Sequence, residues 1–317
     1  MSNDPIIDPS HAIPAASALR RSRFRWRLIA FVALVIAILA GAGRFVTDRG
    51  LMAQDSIARI RIDGTISTDA ARHHLLETIG DNDHIKAVIV SINSPGGTTA
   101  GGEEIYEDLG LLRSKKPVVA VIDELGASAA YMSAIATDRI FARRLSIVGS
   151  IGVLFQTVDA GKLFQTIGVD LDKVASGPLK AEPDIDEAMS PEVRASLQAL
   201  VDDSFNWFVD IVAERRNLPR DTVLTLADGR IVTGNQGVAL KLIDAVGGER
   251  EAVAWLESDK SIKQDLPIVD WAPRRDEGWI GYLRWLGGAA RGALGLPADG
   301  PIALDGLVSL WQVDLAQ

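Results

Sequence analysis

The chain is expected to fold as an α/β protein, built from repeated β-α units around a mostly parallel sheet. Three observations predict this. From residue 56 onward, short apolar runs alternate with segments of helical periodicity. Two of the apolar runs end in turns of small residues that lead straight into helical segments, at SPGG and at GASAA. No fixed-period repeat interrupts the alternation, and a composition of 47% hydrophobic and 24% charged residues is that of an ordinary globular body.

The elements follow in order. IARIRIDGTI reads as a strand, AARHHLLETIG as a helix, and IKAVIVSIN as a second strand. SPGG then turns the chain into TAGGEEIYEDLGLLRS, where Ile105, Leu109 and Leu112 recur at helical spacing. PVVAVID is a strand, SAAYMSAIA a helix and DRIFA a short strand; IVGSIGVLF, AGKLFQTIG and LDKVA come next. Residues 190–217 form one long helix, with Ser190 as its cap, Pro191 in its first position and Leu218-Pro219 at its end. TGNQGVALKLID and REAVAWLES are two shorter helices. These elements place one catalytic domain over residues 55–260 and leave a C-terminal extension over 261–317. Within that extension, Trp279, Tyr282, Trp285 and Leu286 fall near helical spacing. Such a segment suits a membrane interface, or equally a helix packed on the body or on another subunit.

The leader differs in charge from the body. Residues 1–50 carry seven arginines against Asp4, Asp8 and Asp48, although the whole chain has a net charge of −9. An acidic body lacks the basic stripe that a nucleic-acid binder needs. RRSRFRWR precedes the apolar run LIAFVALVIAILAGAG, which Arg44 closes. The run spans about 24 Å as a helix, against a bilayer core of about 30 Å. Extending it over residues 26–46 suffices if Arg27 and Arg44 snorkel to the interfaces. The expectation is therefore a basic cytoplasmic tail over residues 1–25 and a single transmembrane anchor over 26–46. The body then lies on the far side of the membrane. The rival is a cleavable signal peptide with Gly41 and Gly43 at its cleavage site. With no cysteine in the chain, disulfides, thiol catalysis and thiolate metal sites are excluded.

Three segments carry candidate chemistry. Ser128 stands at a strand-to-helix turn among Gly126, Ala127, Ala129 and Ala130. That geometry exposes a nucleophile and aims helix N-terminal N–H groups at a developing oxyanion. A serine that simply caps the helix fits the same segment. Pro95, Gly96 and Gly97 form a turn able to present an N–H to an oxygen, or merely a tight connection. No lysine follows at P-loop spacing, so phosphate cradling is a poor reading. The four histidines all lie early in the chain, so the base for a serine would be a lysine. Burial would have to depress a lysine from ~10.4 toward neutrality. Eight of the nine lysines occupy turns, linkers, strand flanks or exposed helix faces. Lys180 remains, in the irregular segment ASGPLKAEPDIDEAMS. A surface lysine paired with Glu182 fits there as well.

Taken in order, INSPGG, GASAAY, GSIGV, SGPLK and GRIVTGNQGVALKLID resemble the signal peptide peptidase A family. These are membrane-anchored serine–lysine proteases of the Clp-protease/crotonase superfamily. The similarity runs from about Ile57 to Leu256. It implies the superfamily's α/β fold, with Ser128 as nucleophile, Lys180 as general base and Ser150 orienting the lysine amine. The backbone N–H groups of Gly97 and Ala129 would form the oxyanion hole. Family members commonly have glycines where this chain has Ala129 and Ala130, which alters the pocket shape and leaves the N–H groups in place. The resemblance further implies a homo-oligomeric ring at the bacterial inner membrane, with the catalytic domain outside the cytoplasm. Its substrates would be residual signal peptides and other membrane-derived or unfolded peptides. No metal or organic cofactor is implied.

Two other readings share the fold. An inactive oligomeric scaffold would not need serine, lysine and the Gly-Gly turn together. A crotonase-type acyl-CoA enzyme would need a carboxylate at the site, and neither the serine turn nor the leader.

Overall fold

The computed structural model describes residues 31–32, 54–273 and 307–310. The chain divides into residues 1–54 and 55–317, and the sheet with its helices belongs to the second. The expected membrane span lies outside the described residues, except for Phe31 and Val32, which are helical. The basic tail and the aromatic segment around Trp279–Leu286 also lie outside them. Among the described residues, no helix is long and apolar enough to cross a membrane.

The elements run β1 (Ser56–Ile66), α1 (Ala70–Asp81), β2 (Ile85–Thr98), α2 (Thr99–Lys115), β3 (Val118–Ala127), α3 (Ala129–Ile135), β4 (Arg139–Ala142), β5 (Ile147–Gly149) and β6 (Leu154–Phe155). There follow α4 (Gly161–Ile167), α5 (Pro191–Arg216), α6 (Arg220–Leu226), β7 (Ile231–Thr233), α7 (Gly234–Ala239), β8 (Ala245–Val246), α8 (Glu249–Asp259), β9 (Ile268–Trp271) and β10 (Leu307–Leu310). The α/β fold with a mostly parallel sheet is thus present. β9, β1, β2, β3, β4 and β8 pair in parallel, and β5 also pairs in parallel with β3. β10 against β2 and β6, and β5 against β7, are antiparallel.

The central strands are apolar on both faces, as a sheet covered on both sides requires. Ala58, Ile60, Val88, Val90, Ala120 and Ile122 point to one core, closed by α1, α2, α3 and α5. Their neighbours Ile57, Ala87, Ile89, Val119 and Val121 point to a second, closed by Ala252 and Leu256 of α8. The helix signals read from sequence work as expected at α5, where the Ser190 hydroxyl accepts from the Val193 N–H at 3.2 Å and Pro191 stands first. Pro219, read there only as a helix stop, also caps the seven-residue α6, which sequence reasoning did not separate. β7, β8, β9 and β10 are strands of two to four residues, too short for periodicity to reveal.

The sheet splits where the site forms. β2 and β3 pair in one register as far as Ile92 opposite Ile122, and after a shift they meet once more at Ser94 opposite Gly126. Beyond that point β2 keeps β1 on one edge, with Ile66 opposite Gly97, and takes β10 on the other, with Ser309 opposite Gly97. β3 likewise changes neighbours, pairing with β4 over residues 119–122 and with β5 over 125–127.

Candidate active site

Ser128 sits between the last residue of β3 and the first of α3. It holds φ 59° and ψ −124°, a conformation that side-chain-bearing residues rarely adopt. Its side chain makes no capping hydrogen bond to α3, so the reading of Ser128 as an ordinary helix cap fails. The backbone around it is fully tied down. Its N–H donates to the Gly149 carbonyl at 2.9 Å, and its own carbonyl accepts from Tyr131 at 2.8 Å and Met132 at 3.1 Å. Ser128 is 1% exposed, and Ala129 and Ala130 are buried. Tyr131, fully buried, anchors the first turn of α3 by donating its hydroxyl to the Leu242 carbonyl at 2.7 Å. That burial pushes the phenol well above its usual range, so it stays a neutral donor.

Ser150 arrives beside Ser128 by strand register. Ala127 of β3 lies opposite Gly149 of β5, so the residues that leave the two strands side by side are Ser128 and Ser150. Ser150 is also at positive φ, 50°, and is buried. Its N–H donates to the Arg230 carbonyl at 2.8 Å. Gly149 must be glycine here: φ is +96°, and a Cβ would stand 3.2 Å from the Arg230 carbonyl oxygen.

The Pro-Gly-Gly turn closes the third side. Ser94 pairs with Gly126, two residues before Ser128, which brings Gly96 and Gly97 level with it. The Gly96 N–H donates to the buried Ser94 hydroxyl at 3.1 Å, fixing the turn. A Cβ on Gly97 would fall 1.7 Å from the Ile66 carbonyl oxygen, so the close approach of β1 admits glycine alone. Sequence reasoning missed Ser94, whose only signal was its place before the proline. It also missed β10, whose four residues LVSL pair antiparallel with Gly96–Thr98.

Lys180 belongs to a different environment. It is exposed in the irregular stretch between α4 and α5, where its backbone N–H donates to the Gly177 carbonyl at 3.1 Å. Its expected alternative partner, Glu182, instead pairs with Lys173, which also holds Asp184. Ser128, Ser150, Gly97 and Ala129 are therefore gathered by the sheet, while Lys180 stands on a loop outside its register. The stretch of chain that carries Lys180 exposes several large apolar side chains: Val158, Leu163, Ile167, Leu171, Val174 and Ile185.

Chemically, a strained serine held by backbone bonds, a second serine at its side and a glycine turn at its level make a frame for acyl transfer. The sequence profile of peptidase family S49 matches residues 110–263. A putative protease of Synechocystis sp. is 38% identical over 216 residues, covering 68% of this chain and 78% of that protein. A putative protease of Methanocaldococcus jannaschii is 31% identical over 237 residues, covering 75% and 76%. A putative signal peptide peptidase SppA of Enterococcus faecium is 30% identical over 197 residues, covering 62% and 57%.

Proposed function

Because the chain belongs to peptidase family S49, the serine peptidases of signal peptide peptidase A type, we propose that it is a membrane-anchored endopeptidase with a Ser128–Lys180 dyad. It would degrade residual signal peptides and other membrane-derived or unfolded segments. The observation that carries this reading is the backbone of Ser128. Ser128 holds φ 59° and ψ −124° while 1% exposed, at the turn from β3 into α3, and backbone strain of this kind gathers at functional sites.

In the proposed reaction the neutral Lys180 amine takes the Ser128 proton, and the Ser128 oxygen attacks the peptide carbonyl. The N–H groups of Gly97 and Ala129 stabilise the resulting oxyanion. Lysine then gives its proton to the leaving amine, which breaks the C–N bond and leaves an acyl-Ser128. Lysine next accepts a proton from water, whose oxygen attacks the acyl carbon; the C–O bond to Ser128 then breaks, lysine returns the proton to the Ser128 oxygen, and the carboxylic acid product leaves. Ser150 orients the lysine amine. The residues present supply each of these proton transfers without a metal or organic group.

A lysine base works best away from water, yet Lys180 is exposed in the single chain. The exposed apolar side chains of the same stretch support a ring of identical subunits, in which a neighbour would cover Lys180 and dry the site. The anchor over residues 26–46 rests on its arginine-flanked apolar run. It would hold the ring at the bacterial inner membrane with the catalytic unit outside the cytoplasm.

The test is hydrolysis of a fluorogenic apolar peptide by the full chain in detergent, from pH 6 to 10. Activity should rise toward alkaline pH as a lysine base loses its proton, and should vanish in both Ser128→Ala and Lys180→Ala. Equal cleavage by all three proteins would overturn the assignment. A folded, oligomeric parent with no activity would instead favour the scaffold.

A further inference from the structure

The Asp228-Gly229-Arg230 turn, between α6 and β7, lies directly against the segment that holds both serines. Two backbone bonds join them: Ser150 N–H to the Arg230 carbonyl at 2.8 Å, and Gly229 N–H to the Ile151 carbonyl at 3.2 Å. On its other side, the same Gly149–Ser150 segment accepts the Ser128 N–H at the Gly149 carbonyl. Gly149 and Ser150 thus form a two-residue bridge, with the nucleophile on one flank and the 228–230 turn on the other. Gly149 adopts its positive φ freely, but Ser150 holds one that its side chain disfavours. The position of the Arg230 carbonyl is set by the pairing of Gly149 with Ile231 and by the turn that precedes it.

Asp228 closes that turn. Its Oδ1 accepts the Arg230 backbone N–H at 3.0 Å and the Arg230 Nε at 2.7 Å, while Oδ2 accepts from Nη2. A carboxylate bonded to the N–H two residues on closes an Asx turn and fixes the peptide that follows. We propose that Asp228 is a positioning residue for the peptidase reaction, acting through the Arg230 carbonyl to hold Ser150 where it can orient the catalytic lysine. The inference rests on the reading of Ser150 given above.

Two physical points decide which of the Asp228 bonds matters. The ion pair with Arg230 joins two half-exposed side chains, and pairs of that kind contribute little on their own. The bond to the backbone N–H shapes the turn, and a neutral amide oxygen serves it equally well. The Arg230 guanidinium and backbone N–H also hold the Asp228 carboxyl down to about 2, so it stays ionised from pH 6 to 10. Any change in the pH profile across that range therefore comes from the base and not from Asp228 titrating.

The experiment is a double-mutant cycle on the full chain, comparing Asp228→Ala, Asp228→Asn, Ser150→Ala and Ser150→Ala with Asp228→Ala. Steady-state kinetics are recorded from pH 6 to 10, with Ser128→Ala as the blank. Asp228→Ala should lower kcat about tenfold with KM unchanged, and shift the pH midpoint as Ser150→Ala does. Asp228→Asn should stay within about twofold of the parent, because its amide oxygen still caps the turn. In the Ser150→Ala background, Asp228→Ala should add less than about twofold, since both act through one group. Ser128-dependent activity with costs that multiply in the double variant would overturn the inference and leave the proposed function standing. An Asn variant as impaired as Ala would do the same. If no cleavage depends on Ser128, both fall together.

Discussion

Ser128 concentrates the argument at the scale of a single residue. Its φ of 59° costs about 1–3 kcal/mol, which the Gly149 bond and the buried first turn of α3 hold in place. Glycine adopts the same angles without that cost. Ser128→Gly should therefore melt at a higher temperature than Ser128→Ala, although neither would cleave peptide. Thermal denaturation of the two inactive variants side by side checks this. Equal melting temperatures would mean the position stores no strain. The neighbouring serine illustrates what sequence leaves undecided. Ser128 stood out by its setting at a strand-to-helix turn, whereas Ser150 was indicated only by resemblance. What sets them side by side is the pairing of Ala127 with Gly149, two residues 22 positions apart, which no local pattern encodes.

Among the elements, β10 alters the environment of the site most. β2 loses β3 as its neighbour after Ser94, and the edge thus freed at Gly96–Thr98 is taken by residues 307–310 of the same chain. An exposed strand edge is where an extended peptide adds by main-chain hydrogen bonds. A tethered strand competes with any such peptide at high effective concentration. Deleting residues 300–317 should therefore raise kcat/KM severalfold for an unfolded peptide substrate. The measurement is initial rates of full chain and deletion at matched concentration. Unchanged or lower activity in a folded deletion would show that β10 does not stand where substrate docks. The long elements, β1 through α3 and α5, were legible because each carries enough residues for its periodicity and caps to show. β10 was not: four residues cannot be told from loop until a partner edge is present.

The whole molecule poses the question of Lys180. Folding gathers four of the five expected site residues through the sheet and leaves the lysine on an exposed loop, in a stretch that also exposes large apolar side chains. Each such side chain gains about 1.5–3 kcal/mol when fully buried, so a surface of this kind is far more stable covered. If the proposed ring forms through this surface, replacing both Leu171 and Val174 with Asp should dissociate it and abolish Ser128-dependent cleavage together, with secondary structure unchanged. Sedimentation velocity and the peptide assay, run on the same sample, check the pair of effects. A dissociated variant that still cleaves would show that one chain suffices.

The sequence by itself determined the fold class, the order of the long elements, the serine at the turn and the Gly-Gly approach. These are local matters, written in periodicity, capping and residue size. The tertiary structure alone decided that β2 and β3 part at the site, that Ser150 lies beside Ser128, that the 228–230 turn bonds to Ser150, and that β10 takes the vacated edge. Each of these depends on hydrogen bonds between residues distant in the chain, and their register is fixed only when the strands meet.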